Sequence, residues 1–480
     1  MNLQKRKGKR KIEREITLPE SISIMVLFIV MLVFCIAVWE IAPHIPLIMS
    51  TGLLIAFASL CLHISWDDLK TAMFDAVLSG LESMLVILFI GGTIGSWISS
   101  GTVAMIISYG LQLFSPQFFL VSVLLISAVM SILTGSSWAT VGTVGIAFMG
   151  VAHGLGINPA IAAACVACGA FFGDKQSPVS DTTNFAAAVA RTDLYAHVKS
   201  MLYTTGPAFV FTAIIFLIIG FQYKGAADVE IINEISNGLR IAFHFNPVLL
   251  LPLLIMIALI ILKVPAFLVM IITTAIGIFN TVVFQGVNMP QAITYAYSGF
   301  VSETGSELID TLLTRGGVAS MYYTIGLMMF SFLMAGLLSR TGTLRTIVNK
   351  LSNLTKSRVG LVGTTVFTTV VFNFLAADPY LAMLLSGKAF EEKYDEKGLK
   401  RQVLSRSLED GGTLICPMVP WGSSGVYVAT TLGVATISYF PYYFIGFITP
   451  AFSILCALTG FGMFMDEEKR KKKEKLAMEE

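Results

Sequence analysis

The stretch Cys168-Gly-Ala-Phe-Phe-Gly173-Asp-Lys-Gln-Ser-Pro178-Val-Ser-Asp-Thr-Thr-Asn184 lies deep inside apolar sequence. Yet it is dense in charges and hydroxyls and is interrupted by Gly173 and Pro178. Ionisable groups at membrane depth are costly and are kept where they face a cavity or another charge. The stretch therefore reads as a functional break in an apolar helix, and the rest of the chain as the frame that holds it.

The frame is apolar throughout. Of 480 residues, 55% are hydrophobic and only 13% charged, too few charges to cover a soluble surface. Runs long enough to cross a ~30 Å hydrocarbon core recur along the chain, so the fold class is an all-α polytopic membrane protein without a separate soluble domain. The net charge of +2 conceals two basic tails, Lys5 to Arg14 and Lys469 to Lys475. No nucleic-acid partner is expected from them, because Lys and Arg flanking membrane spans mark the cytoplasmic side. The first apolar stretch is too long for a cleavable signal. The six cysteines show no CxxC pattern and read as free packing thiols.

In order, Ser21–Ala42 and Pro46–Ile64 read as spans, 65–80 as an amphipathic arm along the interface, and Leu81–Ser100 as a third span, with Glu82 interfacial. Phe118–Val151 would run ~50 Å as one helix and is polar at its centre, Thr134-Gly-Ser-Ser-Trp-Ala-Thr140. Its flanks, 101–117 and 152–158, read as uncharged loops. It is expected to be a re-entrant hairpin with Gly135, Ser136 and Ser137 at the tip, tolerable only where it lines a cavity. Pro159–Ala190 is a broken helix, Met201–Gln222 a span, and 223–245 a polar extracellular connection. The second half repeats the plan. Asn246–Leu262 and Val264–Gln285 are spans, 288–315 is semi-amphipathic, and Gly316–Ser339 is a span. Residues 340–358 form a basic loop, Val359–Phe390 a hairpin centred on Asn373 to Tyr380, 391–402 a charged loop, 403–435 a second broken helix, and Tyr442–Phe464 the last span.

A shift of 241 residues pairs Phe89 with Phe330, Gly95 with Gly336, Gly101-Thr102 with Gly342-Thr343, and Ser137 with Asp378. The loops of the first hairpin are uncharged, whereas those of the second are rich in Lys and Arg. By the positive-inside rule the two hairpins open to opposite faces, so the halves, 21–222 and 246–464, are inverted repeats. About ten full spans, two re-entrant hairpins and two broken helices result, with the tails 1–20 and 465–480 cytoplasmic. Inverted repeats meeting at discontinuous helices characterise secondary transporters.

Helix breaks expose N–H groups at one half-helix and carbonyl oxygens at the other. Ser177 or Ser180 can cap the half-helix after Pro178. Ser177, Asp181 and Asn184 share one helical face by i, i+4, i+7 spacing. A carboxylate, a hydroxyl and an amide oxygen together suit a hard cation. Asp181 is the leading candidate to hold Na+ or H+ in turn, with Asp174 the alternative. Lys175 either neutralises Asp174 as a structural pair or contacts a substrate anion. Thr182, Ser136 and Ser137 could add oxygens, with Na+ held at Asp181, Asn184, Ser136 and Ser137. These small polar residues could instead simply let helices approach closely. In the second half Asn373 and Asp378 occupy the hairpin tip, where Asp378 could equally cap a half-helix, and Ser423 and Ser424 lie at the break. Glu409 and Asp410 are placed nearer the cytoplasmic end.

Gly173-Asp-Lys-Gln-Ser-Pro-Val-Ser-Asp-Thr-Thr-Asn-Phe-Ala186, followed by Thr192-Asp-Leu194 and Met201-Leu-Tyr-Thr-Thr205, resembles the NhaC family of Na+/H+ antiporters. Thr134-Gly-Ser-Ser-Trp-Ala-Thr-Val-Gly-Thr143 extends the resemblance. It covers essentially the whole membrane region. It implies the ion-transporter superfamily, cation-coupled exchange across a bacterial plasma membrane, Na+ and H+ as transported ions and no cofactor. It leaves open a malate/lactate type of exchanger, or an amino-acid transporter, in which a small carboxylate travels with the ions. A homodimer in the lipid bilayer follows by the same analogy. Gly173-Asp174 by itself resembles the dipeptide of intramembrane aspartyl proteases. With no convincing Tyr-Asp partner, and no use for an inverted repeat in that chemistry, no enzymatic activity is expected.

Overall fold

The computed structural model describes residues 14–465 apart from Glu40, 224–228, Lys263, 307–308, 311–312, Leu354 and Lys356. Residues 1–13 of the first basic tail and 466–480 of the second, Asp228 in the 223–245 connection and Lys356 in the 340–358 stretch lie outside the described residues. The described chain is helical, with two isolated bridges, Phe300 to Arg315 and Leu399 to Met465, and no strand. In lipid the backbone must satisfy its own hydrogen bonds, which helices do within one segment. Among the described residues six helices are long and apolar enough to cross a membrane, or eight if two bent pairs each count as one span. Large apolar side chains such as Val30, Phe211, Ile218, Leu254, Phe279 and Phe367 stay exposed around the outside. A surface so apolar needs lipid rather than water as its solvent. This is a multi-pass membrane protein.

The first half comprises α1 (Leu18–Ala37), α2 (His44–Leu60), α3 (Trp66–Ser79), α4 (Leu81–Ser99) and α5 (Thr102–Leu113). Ser65 caps α3, accepting from the Asp68 amide, and Leu69 and Met73 face inward. The expectation of a loop over 101–117 fails at α5. Uncharged though it is, its Val103, Ala104, Ile107 and Leu111 recur at helical spacing and are buried.

α6 (Pro116–Thr134) stops at Gly135, which is left-handed at φ 66°. α7 (Ser137–Thr140) starts from the cap Ser136 and continues through a π turn at Val141–Gly145 into α8 (Ile146–Gly154). α9 (Pro159–Gln176) is followed by the irregular residues 177–180 and then by α10 (Asp181–Val189). α11 (Leu194–Met201) and α12 (Thr205–Phe221) complete this half, and α13 (Val229–Ala242) lies in the 223–245 connection.

The second half comprises α14 (Leu251–Ile261), α15 (Ala266–Gln285), α16 (Met289–Ser298), α17 (Tyr322–Arg340), α18 (Thr343–Asn353), α19 (Arg358–Ala376), α20 (Pro379–Glu396), α21 (Arg401–Gly411), α22 (Ser423–Leu432) and α23 (Phe444–Thr459). Two stretches expected as loops are helical here. α18 occupies the basic stretch 340–358, burying Leu344 and Val348 while exposing Arg345 and Lys350. α20 runs on through the charged residues to Glu396. Charge in both cases marks a solvated helix face rather than a loop.

α9 is buried on every side, and small residues let it be so. A Cβ at Gly169 would collide with the Leu124 carbonyl oxygen of α6, and one at Gly173 with that of Ala128. Ser131 donates to the Ala170 carbonyl (2.6 Å) and the Cys165 thiol to that of Leu120 (2.8 Å). This is the small-xxx-small packing of membrane helices, and it fixes the end of α9, with Asp174 and Lys175, against α6. In the second half Gly411 of α21 meets α19 similarly, at the Val366 carbonyl oxygen.

Candidate cation site

Two helix turns, at Gly135–Ser136 and Ala377–Asp378, face the two breaks, 177–180 and 412–422. Gly135 lies against Val179 and Ser180, and Ser177 donates to the Ile132 carbonyl (2.8 Å). Ala377, left-handed at φ 56°, accepts from the Ser423 amide (3.1 Å), and the Trp421 indole donates to the Phe374 carbonyl (2.6 Å). Contacts also cross between halves. Trp138 stacks on Tyr427 with ring centroids 4.2 Å apart, and the Tyr427 hydroxyl donates to the Trp138 carbonyl (2.5 Å). The Tyr380 hydroxyl donates to Asp181 Oδ2 (2.5 Å). All four irregular segments therefore converge.

Between them lies a cavity of about 460 Å³. Its polar wall includes Ser136, Ser137, Asp174, Asp181, Thr182, Asp378, Tyr380, Ser423 and Ser424, and Glu82 from α4. Among the described residues neither Lys, Arg nor His lines it. A second, wider hollow of about 710 Å³ shares Ser79, Phe332, Asp378 and Tyr380 with it and carries Asp75, Arg340 and Arg345. Glu82, read from the sequence as interfacial, thus stands on the cavity wall.

The structure separates the sequence-derived candidates into two groups. Asp181, Asp174, Ser136, Ser137, Thr182, Asp378, Ser423 and Ser424 face the cavity; Ser177, Ser180, Asn184, Gly135 and Asn373 are not on its wall. The shared helical face of Ser177, Asp181 and Asn184 does not form. Ser177 belongs to the break and is turned to α6, so the spacing rule spans a discontinuity. Asn184 donates instead to the carbonyls of Pro178 (3.0 Å) and Ser180 (2.7 Å). Ser180 caps α10, accepting from the Thr183 amide. Asn373 is buried, donating to the Gly412 carbonyl (2.5 Å), and ties α19 to the second break. Asp378 caps α20 by accepting from the Leu381 amide (2.8 Å).

Asp181 is open to the cavity, not enclosed. It stands in the first turn of α10, where the helix dipole favours a negative charge. Asp174 is the enclosed carboxylate, 3% exposed, and Ser137 donates to its Oδ2 (2.9 Å). Lys175 is fully buried. Its Nζ donates to Thr182 (2.8 Å) and lies 3.4 Å from both Asp174 Oδ2 and Glu409 Oε2. The structural pairing of Lys175 is therefore present and extended, and it leaves no ammonium face on the cavity. Glu409 and Tyr380 are the residues sequence reasoning missed. The sequence places Glu409 with Asp410 nearer the cytoplasmic end of the second broken helix, and shows Tyr380 only as the residue beyond Asp378-Pro379. Among the described residues no three His, Cys, Asp or Glu side chains converge as a metal-chelating group.

An apolar helical bundle whose discontinuities enclose a cavity of carboxylates and hydroxyls has the build of a secondary active transporter. Residues 169–461 match the Na+/H+ antiporter family. The Na(+)/H(+) antiporter NhaC of Alkalihalophilus pseudofirmus is 37% identical over 452 residues, 94% of this chain and 97% of that one. The malate-2H(+)/Na(+)-lactate antiporter of Bacillus subtilis is 37% identical over 413 residues, 86% and 88% of the two chains. An uncharacterized Na(+)/H(+) antiporter of Haemophilus influenzae is 36% identical over 454 residues, 93% and 97%. The chain belongs to the Na+/H+ antiporter family.

Proposed function

We propose that the cavity between the four irregular segments is where Na+ and H+ exchange, with Asp181 the carboxylate that each occupies in turn. One observation carries this reading. Asp181 is an exposed carboxylate on a polar cavity walled by hydroxyls and by the acids Glu82, Asp174 and Asp378, and among the described residues its side-chain partner is the tyrosine Tyr380 rather than a fixed cation. Na+ would take oxygens from Asp181, Ser136 and Ser137, with Asn184 left out of the set. Asp174, Thr182, Asp378, Ser423 and Ser424 complete the polar wall. The site alternates between faces as inverted repeats rock about it, with ten spans and two re-entrant hairpins in a bacterial plasma membrane and both termini cytoplasmic. Arg340 and Arg345 in the adjoining hollow support a cytoplasmic side for it by the positive-inside rule, the reading in which this conformation faces inward.

The test is Na+-driven proton movement in proteoliposomes, comparing the parent with Asp181→Asn. Loss of exchange in the variant supports the assignment; parent-like exchange removes it. Coupled exchange of an organic acid is the second reading, favoured by the equal identity of the malate/lactate relative. The absence of Lys, Arg and His among the described residues of the inner cavity wall weighs against it. Labelled malate or lactate counterflow decides between them.

A further inference from the structure

Behind the cavity a chain of buried titratable groups runs inward from Asp174. Lys175 Nζ bridges Asp174 and Glu409 at 3.4 Å each, and the far oxygen of Glu409, Oε1, faces His197 Nε2 at 4.0 Å. All four side chains are at most 4% exposed. Fully ionised, the two carboxylates outnumber the one lysine, and a net charge enclosed in this way is unfavourable. The cluster therefore calls for one more proton.

Hydrogen bonding says where that proton sits. Either atom of the 2.7 Å contact between His197 Nδ1 and Ser405 Oγ can donate; the arrangement that lets Ser405 Oγ donate to the Gln402 carbonyl (3.1 Å) puts the hydrogen on Nδ1. His197 then carries its hydrogen on Nδ1 and presents a bare Nε2. That nitrogen has no hydrogen-bond partner among the described residues, and neither does Glu409 Oε1, while Glu409 Oε2 faces Lys175. Two bare acceptors 4.0 Å apart in a buried site are relieved by a single proton on either of them, as Glu409 O–H or as imidazolium. Asp174 Oδ1 also lacks a partner, but Asp174 stands on the cavity wall and its other oxygen holds Ser137 and Lys175.

The other charges near Glu409 are otherwise engaged. On its own helix, Asp410 accepts from Thr204 (3.2 Å) and from Ser453 of α23, and Arg406 donates to the carbonyls of Ser200 and Gly462. From α19 and α20, Asn373 reaches the Gly412 carbonyl, Tyr394 reaches Ser407, and Thr369 stands against Gly411. From α9 come Lys175 and Asp174, and from α11 His197.

We propose that Glu409 and His197 hold a second exchangeable proton, distinct from the one that competes with Na+ at Asp181. Resting on the exchange reading above, this makes Glu409 a further residue of the transport reaction. A proton arriving at Asp174 passes inward without charge build-up on the lysine. Lys175 gives one proton to Glu409 as it takes one from Asp174. The bond broken and the bond formed are both N–H or O–H, and the ammonium is restored.

The test uses the full chain in proteoliposomes with two readouts. Counterflow of labelled Na+ at equal pH reads Na+ binding and translocation alone; Na+-driven pH change reads protons moved per Na+. Glu409→Gln leaves Asp174 and Lys175 as a neutral pair. It is expected to keep Na+ counterflow while the number of protons per Na+ falls by one. Glu409→Asp, which keeps the carboxylate, is expected to restore the parent ratio. An unchanged ratio in Glu409→Gln overturns the proposal, and so does loss of counterflow in step with proton movement. If Glu409→Gln fails to give a monodisperse protein, His197→Gln is read in the same two assays with the same outcomes deciding. If the parent shows counterflow but no Na+-driven pH change, the exchange reading fails, and this inference with it.

Discussion

The Tyr380 hydroxyl, at the start of α20, donates a 2.5 Å hydrogen bond to Asp181 Oδ2, at the start of α10. The bond joins the two halves at the shared wall of the inner cavity and the wider hollow. It also occupies the oxygen that an entering Na+ would use. A hydrogen bond to a charged group is worth about 1.5–3 kcal/mol, and Na+ must displace it to coordinate Asp181 through both oxygens. Tyr380→Phe is therefore expected to lower the KM for Na+ by roughly tenfold or more, by the usual conversion of about 1.4 kcal/mol per factor of ten. The Na+ dependence of antiport in proteoliposomes measures it. A raised KM would instead make the tyrosine oxygen a ligand.

The position of Asp174 depends on a glycine beside it. A Cβ at Gly173 would press into the Ala128 carbonyl oxygen and the neighbouring Ser131 side chain. Overpacking of this kind costs about 1–3 kcal/mol, and here it would push α9 away from α6 at the level of Ser137 and Asp174. Gly173→Ala is expected to lower both the thermal midpoint in detergent and Na+ counterflow. Gly206→Ala, at a helical position with nothing within 4 Å of the added carbon, is the control and should match the parent midpoint.

What could be read from the sequence was interruption. Gly135–Ser137 and Gly173–Ser180 stand out because polar, glycine- or proline-bearing residues are rare at membrane depth; the structure is irregular at Gly135–Ser136 and at 177–180, while α9 continues through Gly173 to Gln176. Partnership across the chain could not be read. Tyr380 and Asp181 are 199 residues apart, and no local period links them, nor Lys175 to Glu409. The expected face of Ser177, Asp181 and Asn184 failed because i, i+4, i+7 spacing holds only along an unbroken helix, whereas α10 begins at Asp181. The helices α5 and α18 were passed over because charge content was used to separate spans from loops. Helical spacing of Leu344 and Val348, or of Val103, Ile107 and Leu111, was the better signal.

Outside the membrane helices, Asp310 organises the turn at 302–306. Its carboxylate accepts from the Thr304 amide (2.7 Å), and from the Ser302 hydroxyl (2.7 Å), the Thr304 hydroxyl (2.8 Å) and the Gly305 amide (3.2 Å). The Thr304 amide first, and then the Ser302 hydroxyl, hold this carboxyl below the ordinary aspartate value of 3.8. A carboxyl depressed in the folded state contributes stability that is fully present above its unfolded value and is lost as pH falls through the folded one. The turn should therefore keep its amide protection at neutral pH and lose it only below the ordinary aspartate range. Asp310→Asn should lose protection at Thr304 and Gly305 even at neutral pH. Hydrogen exchange of those amides checks both, and because Asp310 is not on the cavity wall, the pH profile of transport should not move.

Lys175 is the sole lysine or arginine paired with Asp174 and Glu409 among the described ion pairs. Removing one partner of a buried pair costs about 3–5 kcal/mol, because the other charge stays enclosed without compensation. Lys175→Met strands two carboxylates and is expected to be strongly destabilising. Glu409→Gln strands none, since Lys175 keeps Asp174, and should be much milder. If Lys175 serves chiefly to balance Glu409, the penalty for Lys175→Met must shrink once Glu409 is already glutamine. Groups in direct contact show interaction energies of about 0.5–3 kcal/mol in such cycles. Thermal midpoints of the parent, both single variants and the double variant in one detergent measure that difference. An equal penalty in both backgrounds would mean that the 3.4 Å approach of Lys175 to Glu409 carries no coupling, and that Asp174 alone keeps the lysine charged and in place.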